Sequence, residues 1–379
     1  MEHEATYDVV IIGGGLAGLS AAILLARKKH RVLVLEKESY PRHKVCGEYI
    51  SMESKPFLEN LGLPIDDLNL PVINKLLLTD SRGNELNEHL PEGGFGISRY
   101  KLDALLAQLA TDAGATIHTK TRVDDILYGN DFFTVKAGPK IFNAKVVCGT
   151  WGKRSNIDIK WERPFITEKN KSLNNYVGIK YHISYPWPQD VIGLHNFYNG
   201  YCGISQIEDN KCCICYLTTS ANLHKSGNNV KKLEQDILMK NQWLRDIFSN
   251  AVILYDAPVT ISQISFDRKE QVYDHVLLLG DAAGMITPLC GNGMSMAFQS
   301  AKIAAGYIDN FLHGHISRED MENNYSSSWK KVFSRRITLG RLVQGNFGKD
   351  RVTSGFIQTM RFLPFLRRAL IRGTRGKPF

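Results

Sequence analysis

The chain has 379 residues, 43% of them hydrophobic, with 47 Lys or Arg against 38 Asp or Glu and a net charge of +9. That length suits two or three packed units with real apolar cores, as in a soluble enzyme. Seven cysteines at irregular spacing argue against a disulfide framework, no stretch approaches the roughly 18 uninterrupted apolar residues of a membrane span, and the acidic start is no signal peptide; the expected location is cytoplasmic.

The first element is the apolar run Tyr7–Ile12, a buried strand by its pattern, followed by Gly13-Gly14-Gly15-Leu16-Ala17-Gly18. A helix is predicted over Leu19–Lys28, rich in Ala and Leu, and a second strand over Arg31–Leu35 ends on Glu36 and Lys37. This order is a βαβ dinucleotide unit. Gly13 allows the tight turn, Gly15 the close approach of a pyrophosphate, and Gly18 close helix–strand packing beside Ala17. The helix N-terminus turns its free N–H groups toward phosphate, and Glu36 stands where a carboxylate accepts from ribose hydroxyls.

Lys44-Val45-Cys46-Gly47-Glu48 follows. Cys46 is either a proton donor beside a cofactor or a small buried hydrophobe, and Glu48 is an acid or base candidate if buried. Residues 71–97 read as strands and Lys101–Ala113 as an amphipathic helix, with Arg99 just before it. Lys145–Gly149 is another apolar strand, running into Thr150-Trp151-Gly152-Lys153-Arg154-Ser155. From 161 to 267, period-two patterning and a turn at Asn199-Gly200 predict an antiparallel sheet. His182 and His195 there are base candidates or structural histidines. Tyr198, Tyr201 and Gly203 are candidate pocket residues. Cys212-Cys213-Ile214-Cys215 lacks a second ligand pair and is not a zinc pattern; in a strand Cys213 and Cys215 share one face. No metal site is expected.

Val276–Leu279 is a buried strand that ends on Gly280-Asp281-Ala282-Ala283-Gly284, and Pro288 and Gly291-Asn292-Gly293 precede a helix predicted over Met294–Phe311. Asp281 is thus a carboxylate at a strand end with another helix N-terminus behind it. Helices are expected from Arg318 onward. From Lys330 to Phe379, thirteen Lys or Arg stand against Asp350 alone, so this segment carries +12 and residues 1–329 carry 9 − 12 = −3. Arg361–Arg372 mixes cationic and apolar residues, suited to an anionic membrane surface or to packing on its own protein. Nucleic acid is not expected, because no recognition motif accompanies the charge.

The paired glycine segments resemble those of FAD-dependent aromatic hydroxylases and geranylgeranyl reductases, the p-hydroxybenzoate hydroxylase-like flavoproteins. The resemblance implies an α/β fold. A Rossmann-like FAD-binding domain, discontinuous over 1–70, 98–160 and 268–317, would carry an inserted antiparallel β-sheet substrate domain over 71–97 and 161–267. A basic helical region over 318–379 would follow. It implies FAD as cofactor, held by Gly13, Gly15, Ala17, Gly18, Glu36, Lys37, Arg99, Gly280, Asp281, Pro288, Gly291, Asn292, Gly293 and Met294. Trp151 stands where the family has aspartate, which unsettles the usual pyridine-nucleotide geometry, and Gly203 stands where the reductases have a tryptophan. The Trp-x-Trp-x-Ile-Pro segment of flavin halogenases is missing. The first expectation is an NAD(P)H-dependent monooxygenase hydroxylating an aromatic or polyketide-type lipid through a flavin C4a-hydroperoxide. The alternative is a C=C reductase of an isoprenoid or polyene lipid, favoured by Cys46-Gly47, and a remote one is a lipid escort protein without flavin.

Overall fold

A computed structural model describes residues 5–167, 175–287, 291–344, 350–363, 365, 373 and 376–379. The chain enters as strand β1 (Ala5–Ile12), turns at Gly13 into helix α1 (Leu16–Arg27) and returns as β2 (Val32–Leu35). Strand β3 (Tyr49–Ser51) and helix α2 (Lys55–Asn60) precede β4 (Val72–Thr79) and β5 (Glu85–Gly96). Helix α3 (Arg99–Asp112) leads to β6 (Thr116–His118), β7 (Asp125–Gly129), β8 (Phe132–Ala137) and β9 (Lys140–Gly149). Short helices α4 (Asn156–Lys160) and α5 (Pro164–Thr167) come before β10 (Tyr176–Ser184), β11 (Val191–Phe197), β12 (Gly200–Gln206) and β13 (Cys212–Thr219). Helices α6 (Ser220–Lys225), α7 (Val230–Asp236) and α8 (Gln242–Asn250) are followed by β14 (Val252–Ile253), β15 (Val259–Ile264), β16 (Val272–Tyr273) and β17 (Val276–Leu278). Helices α9 (Gly293–Leu312), α10 (Arg318–Gln344) and α11 (Asp350–Phe362) end the ordered succession.

Two sheets result. In the first, β16-β17-β9-β1-β2-β6 lie side by side, with β8 also on β9 and β7 on β8. Strands β17, β9, β1, β2 and β6 are parallel neighbours and covered on both faces, which is why Val32-Leu33-Val34-Leu35 is buried without alternation. Gly13, Glu36, Thr150 and Gly280 all follow the carboxyl ends of these strands, the edge where open α/β sheets bind nucleotides. Helix α1 starts at Leu16, three residues before the predicted Leu19, because Gly15 is its N-cap. Helix α3 starts at Arg99 because the Ser98 side chain caps it, accepting from Lys101 N at 3.0 Å.

The second sheet runs β14-β10-β13-β12-β11-β4-β5-β3, with β15 also on β10. It is antiparallel except where β11 meets β4. Strand β3, from the first seventy residues, forms one edge by pairing with β5. Val177, Ile179, Tyr181, Ile183, Ile204, Ile214 and Tyr216 point to one face and pack on Leu233, Leu244 and Ile247 of α7 and α8. Period two then sends Tyr176, Gly178, Lys180 and His182 to the other face, opposite Cys213, Cys215 and Leu217, which in turn oppose Tyr201, Gly203 and Ser205. The loop at 45–48 lies on this face: a Cβ on Gly178 would come within 2.9 Å of Val45.

Candidate active site

The first glycine loop is built for close approach. Gly13 has φ +107°, and a Cβ there would lie 2.7 Å from the Thr150 carbonyl oxygen. One on Gly18 would lie 2.2 Å from the Gly13 oxygen. Helix α1 has no side-chain cap, so its first amides are left for a ligand. Two cations flank them: a Cβ on Gly15 would lie 3.7 Å from Lys44 Nζ and 3.9 Å from an Arg99 guanidinium nitrogen. Both are aimed by one buried carboxylate. Arg99 donates to Asp103 at 2.7 and 2.9 Å, and Lys44 Nζ lies 2.8 Å from the same group. Burial opposes ionisation of Asp103, and the two cations outweigh it and hold its pKa low. Glu36, buried at the end of β2, accepts from Gly14 N at 2.7 Å and pairs with Arg42 at 2.8 Å. Lys37 is exposed beside it.

The second glycine segment meets the first. Gly280 has φ +60°, and a Cβ there would lie 3.2 Å from that of Ala17. Its amide donates to Ser300 Oγ at 3.0 Å. Lys269, fully enclosed, donates to the Asp281 carbonyl at 2.8 Å and to the Lys153 carbonyl at 3.0 Å. Desolvation brings its pKa down to about 8, against the pull of Asp158 and Asp281. Arg163, wholly buried, donates to the Ala282 carbonyl at 3.2 Å and to Asp158 at 2.8 Å. Trp151, in the place of the family's aspartate, donates its indole N–H to both Asp158 oxygens at 3.1 Å. Gly291 has φ +64° and faces the Tyr49 ring, Asn292 and Met294 are buried, and Gly293 opens α9. Pro288 lies outside the described residues.

Between the cradle and the second sheet stands a charged cluster. Glu48, wholly buried and held at φ +55°, pairs with Lys180 and with His182 Nε2 at 2.6 Å, and accepts from Arg99 N at 2.7 Å. Desolvation raises the Glu48 pKa, but Lys180 and His182 outweigh it and the net shift is down; Lys180 is held protonated in return. Glu48 is buried, as its role required, yet it is a locked counter-ion and has no proton to give. Cys46 is half-buried and within electrostatic range of Arg99 and Lys180, and Cys213 Sγ approaches the Cys46 carbonyl at 3.4 Å. His43, which no sequence motif singles out, stacks on Tyr100 at 4.7 Å and meets His182 edge-on at 5.0 Å. Burial, then Lys180 and His182, push its pKa down.

Beyond Gly203 the same face becomes apolar. Tyr176, Tyr201, Leu217 and Phe266 cluster with Met285 of the segment after Gly284, and with Leu194. Gly203 itself has room for a Cβ, the nearest atoms being 3.7 Å away. Tyr198 is a correction: it sits in the β11–β12 turn, where Asn199 takes φ +54° and breaks the alternation. It is 47% exposed, under Lys225. His195 faces the opposite side, between Trp187 and Trp243, with Nδ1 2.9 Å from Thr79 Oγ1. Burial drives its pKa to about 3, so it is a structural histidine.

Taken together, the glycine cradle that a Cβ would fill, uncapped α1, Lys44 and Arg99 fit the pyrophosphate of FAD. The FAD binding domain family matches residues 8–45. Digeranylgeranylglycerophospholipid reductase of Methanosarcina acetivorans is 25% identical over 368 residues, covering 90% of this chain and 84% of that protein. The flavin-dependent brominase Bmp2 superposes with a TM-score of 0.80 at 20% identity, covering 98% of this chain and 93% of its own. A geranylgeranyl bacteriochlorophyll reductase-like protein from Thermoplasma acidophilum gives 0.77 at 18%, over 94% and 91%. The last two likenesses are of fold.

Proposed function

The chain is an FAD-dependent oxidoreductase, and on that premise we propose that it saturates carbon–carbon double bonds of an isoprenoid or polyene lipid, with NAD(P)H as electron donor. The observation that carries this reading is the Cys46–Glu48 loop and its buried Lys180 and His182, set beside the apolar face around Tyr201 and Leu217. Saturating a double bond consumes a hydride and a proton, so a proton-holding group must stand in a water-poor place next to the hydride source. FAD, when bound, supplies the two-electron chemistry. Lys44, Arg99 and the α1 amides would hold its pyrophosphate, Glu36 its ribose, and Asp281 its ribityl chain.

The protein's own part is orientation and proton control. Tyr176, Tyr201, Leu194, Leu217 and Phe266 receive the hydrocarbon and exclude water. Cys46 gives up the proton to the carbon next to the one that receives the hydride. Glu48 keeps Lys180 in place, as Asp103 does the Arg99 guanidinium, and leaves His182 fixed through Nε2. A monooxygenase is the second reading. It is favoured by Gly203, which stands where the reductases place an aromatic wall and where a Cβ would meet nothing closer than 3.7 Å.

Anaerobic reduction with NADPH, then mixing with a polyprenyl glycerolipid or with oxygen and a phenolic lipid, separates the two. The expected result is lipid-dependent reoxidation and a product heavier by two hydrogens. Cys46→Ala is expected to lower that rate by a hundredfold or more while retaining FAD. Oxygen incorporation into the phenol, with no reoxidation by the polyprenyl lipid, would overturn the reductase in favour of the monooxygenase.

A further inference from the structure

Helices α1 and α9 each begin at a glycine segment of the cradle and pack on one another, and they also end together. The meeting point is a helix length from the cradle, about 18 Å for the twelve residues of α1. Both helices stop in left-handed turns, with Lys29 at φ +68° after α1 and Gly314 at φ +75° after α9. The last carbonyls of two helices therefore bring partial negative charge to one place. Asp309 stands at its centre, partly buried. Its Oδ1 lies 2.8 Å from His30 Nε2 and 3.3 Å from His313 Nδ1, while its Oδ2 pairs with Lys28. The His30 and His313 rings meet edge-on with centroids 5.3 Å apart, and His315 stacks on His313 at 5.7 Å. His313 Nδ1 also lies 2.9 Å from the Asp309 carbonyl oxygen. Two imidazoles and a carboxylate thus converge, with one donor atom from each inside a span of 4.8 Å.

We propose that His30, Asp309 and His313 form a zinc site that staples the end of α1 to the end of α9. A tetrahedral zinc ion with ligands at about 2.0–2.1 Å holds neighbouring donor atoms about 3.3 Å apart. The separations around Oδ1 lie close to that value. Calcium and magnesium take oxygen ligands, whereas two imidazoles and one carboxylate suit zinc. Water completes the coordination. The metal takes the place of whichever protons the two imidazoles share with Asp309, and releases them to solvent. Lys28 is the competing cation. It holds the other carboxylate oxygen with its own side chain half in water, where an ion pair contributes little. Sequence spacing does not announce such a site, because His30 and Asp309 stand 279 residues apart. The proposed reaction is not involved, since none of the three ligands belongs to the cradle or to the substrate face.

The test uses full-length, FAD-loaded protein freed of metal with EDTA and titrated with zinc chloride against a chromophoric chelator. One zinc per chain is expected, with a rise in melting temperature that saturates at the same stoichiometry. Cobalt(II) in its place should give the intense visible bands of a four-coordinate ion. His30→Ala, Asp309→Asn and His313→Ala should each lower zinc affinity roughly a hundredfold or more, a direct ligand counting for more than an outer partner. Flavin content should stay the same, most securely in His313→Ala, whose side chain is exposed. Lys28→Met removes the competitor and should raise zinc affinity about two- to fivefold, a gain that a purely structural ion pair does not produce. Unchanged zinc affinity in His30→Ala and His313→Ala would overturn the site and assign the metal to thiols elsewhere. So would a parent protein that takes up no zinc, or a Lys28→Met protein that binds it no more tightly than the parent.

Discussion

At the scale of single residues, the Glu48–Lys180 pair sets the character of the site. Both groups are fully buried, so removing one partner leaves an uncompensated charge in the interior, which costs about 3–5 kcal/mol. The Glu48 pKa is lowered on folding, so its stabilising effect is present above the ordinary carboxylate range and lost as pH falls through the folded value. That of Lys180 is raised, so its effect is present below the ordinary lysine range and lost only as pH rises through the still higher folded value. The pair is intact throughout the neutral range. Lys180→Met should lower urea-measured stability at neutral pH by about 3–5 kcal/mol, with a smaller deficit in mild acid, where Glu48 can take up a proton. Glu48→Gln combined with Lys180→Met should recover at least half. A loss below about 1 kcal/mol for Lys180→Met would mean that the two groups do not interact as buried charges. The sequence placed Glu48 under suspicion through its neighbours Cys46 and Gly47. Its partners lie 132 and 134 residues away. Period two puts Lys180 and His182 on one face but cannot say what that face meets.

At the scale of elements, local spacing carries the information in one half of the molecule and not in the other. Strand, turn and helix around Gly13–Gly18 are contiguous, and each glycine's role follows from a neighbour a few residues off, so the cradle was legible. The parallel contact of β4 with β11, the return of β3 to the second sheet, and the ties of Arg163 and Lys269 to Ala282 and Asp281 depend on long-range docking, and no sequence pattern announces them. Two glycines show how place decides cost. A Cβ on Gly18 would strike backbone at 2.2 Å, while Gly306, mid-way in α9, has nothing within 4 Å. Gly18→Ala is expected to give colourless protein destabilised by about 1–3 kcal/mol or more. Gly306→Ala should raise stability by about 0.5–1 kcal/mol through helix propensity and lost unfolded-state freedom. Flavin absorbance and denaturant midpoints check both, and a yellow, stable Gly18→Ala protein would refute the close packing of α1 on the β1 turn.

At the scale of the whole molecule, the two sheets are parts of one cooperative body. The chain passes from the first sheet to the second after β2, returns before β6, leaves again after β9 and comes back at β16. These crossings are reinforced by buried side-chain links, with Glu48 bonded to Lys180 and His182, the Ser98 amide to Glu208 at 2.7 Å, and Arg341 of α10 to the Phe266 carbonyl at 2.7 Å. These links fasten the segments at which the chain crosses between the sheets, so the crossings cannot come loose without stranding a buried charge or a buried donor. On the proposed reading FAD would sit at the strand ends of the first sheet, yet by linkage its stabilisation of about 2.7 kcal/mol at a hundredfold excess over Kd must be felt wherever unfolding is shared. Amide hydrogen exchange across a urea series should therefore show protection in β1 and β9 lost at the same urea concentration as protection in β12 and β13. Added FAD should move both midpoints together and by the same amount. If FAD shifted only the first pair, the second sheet would be a separately folding unit, and the Glu48 and Glu208 links would be contacts between independent bodies rather than part of one core.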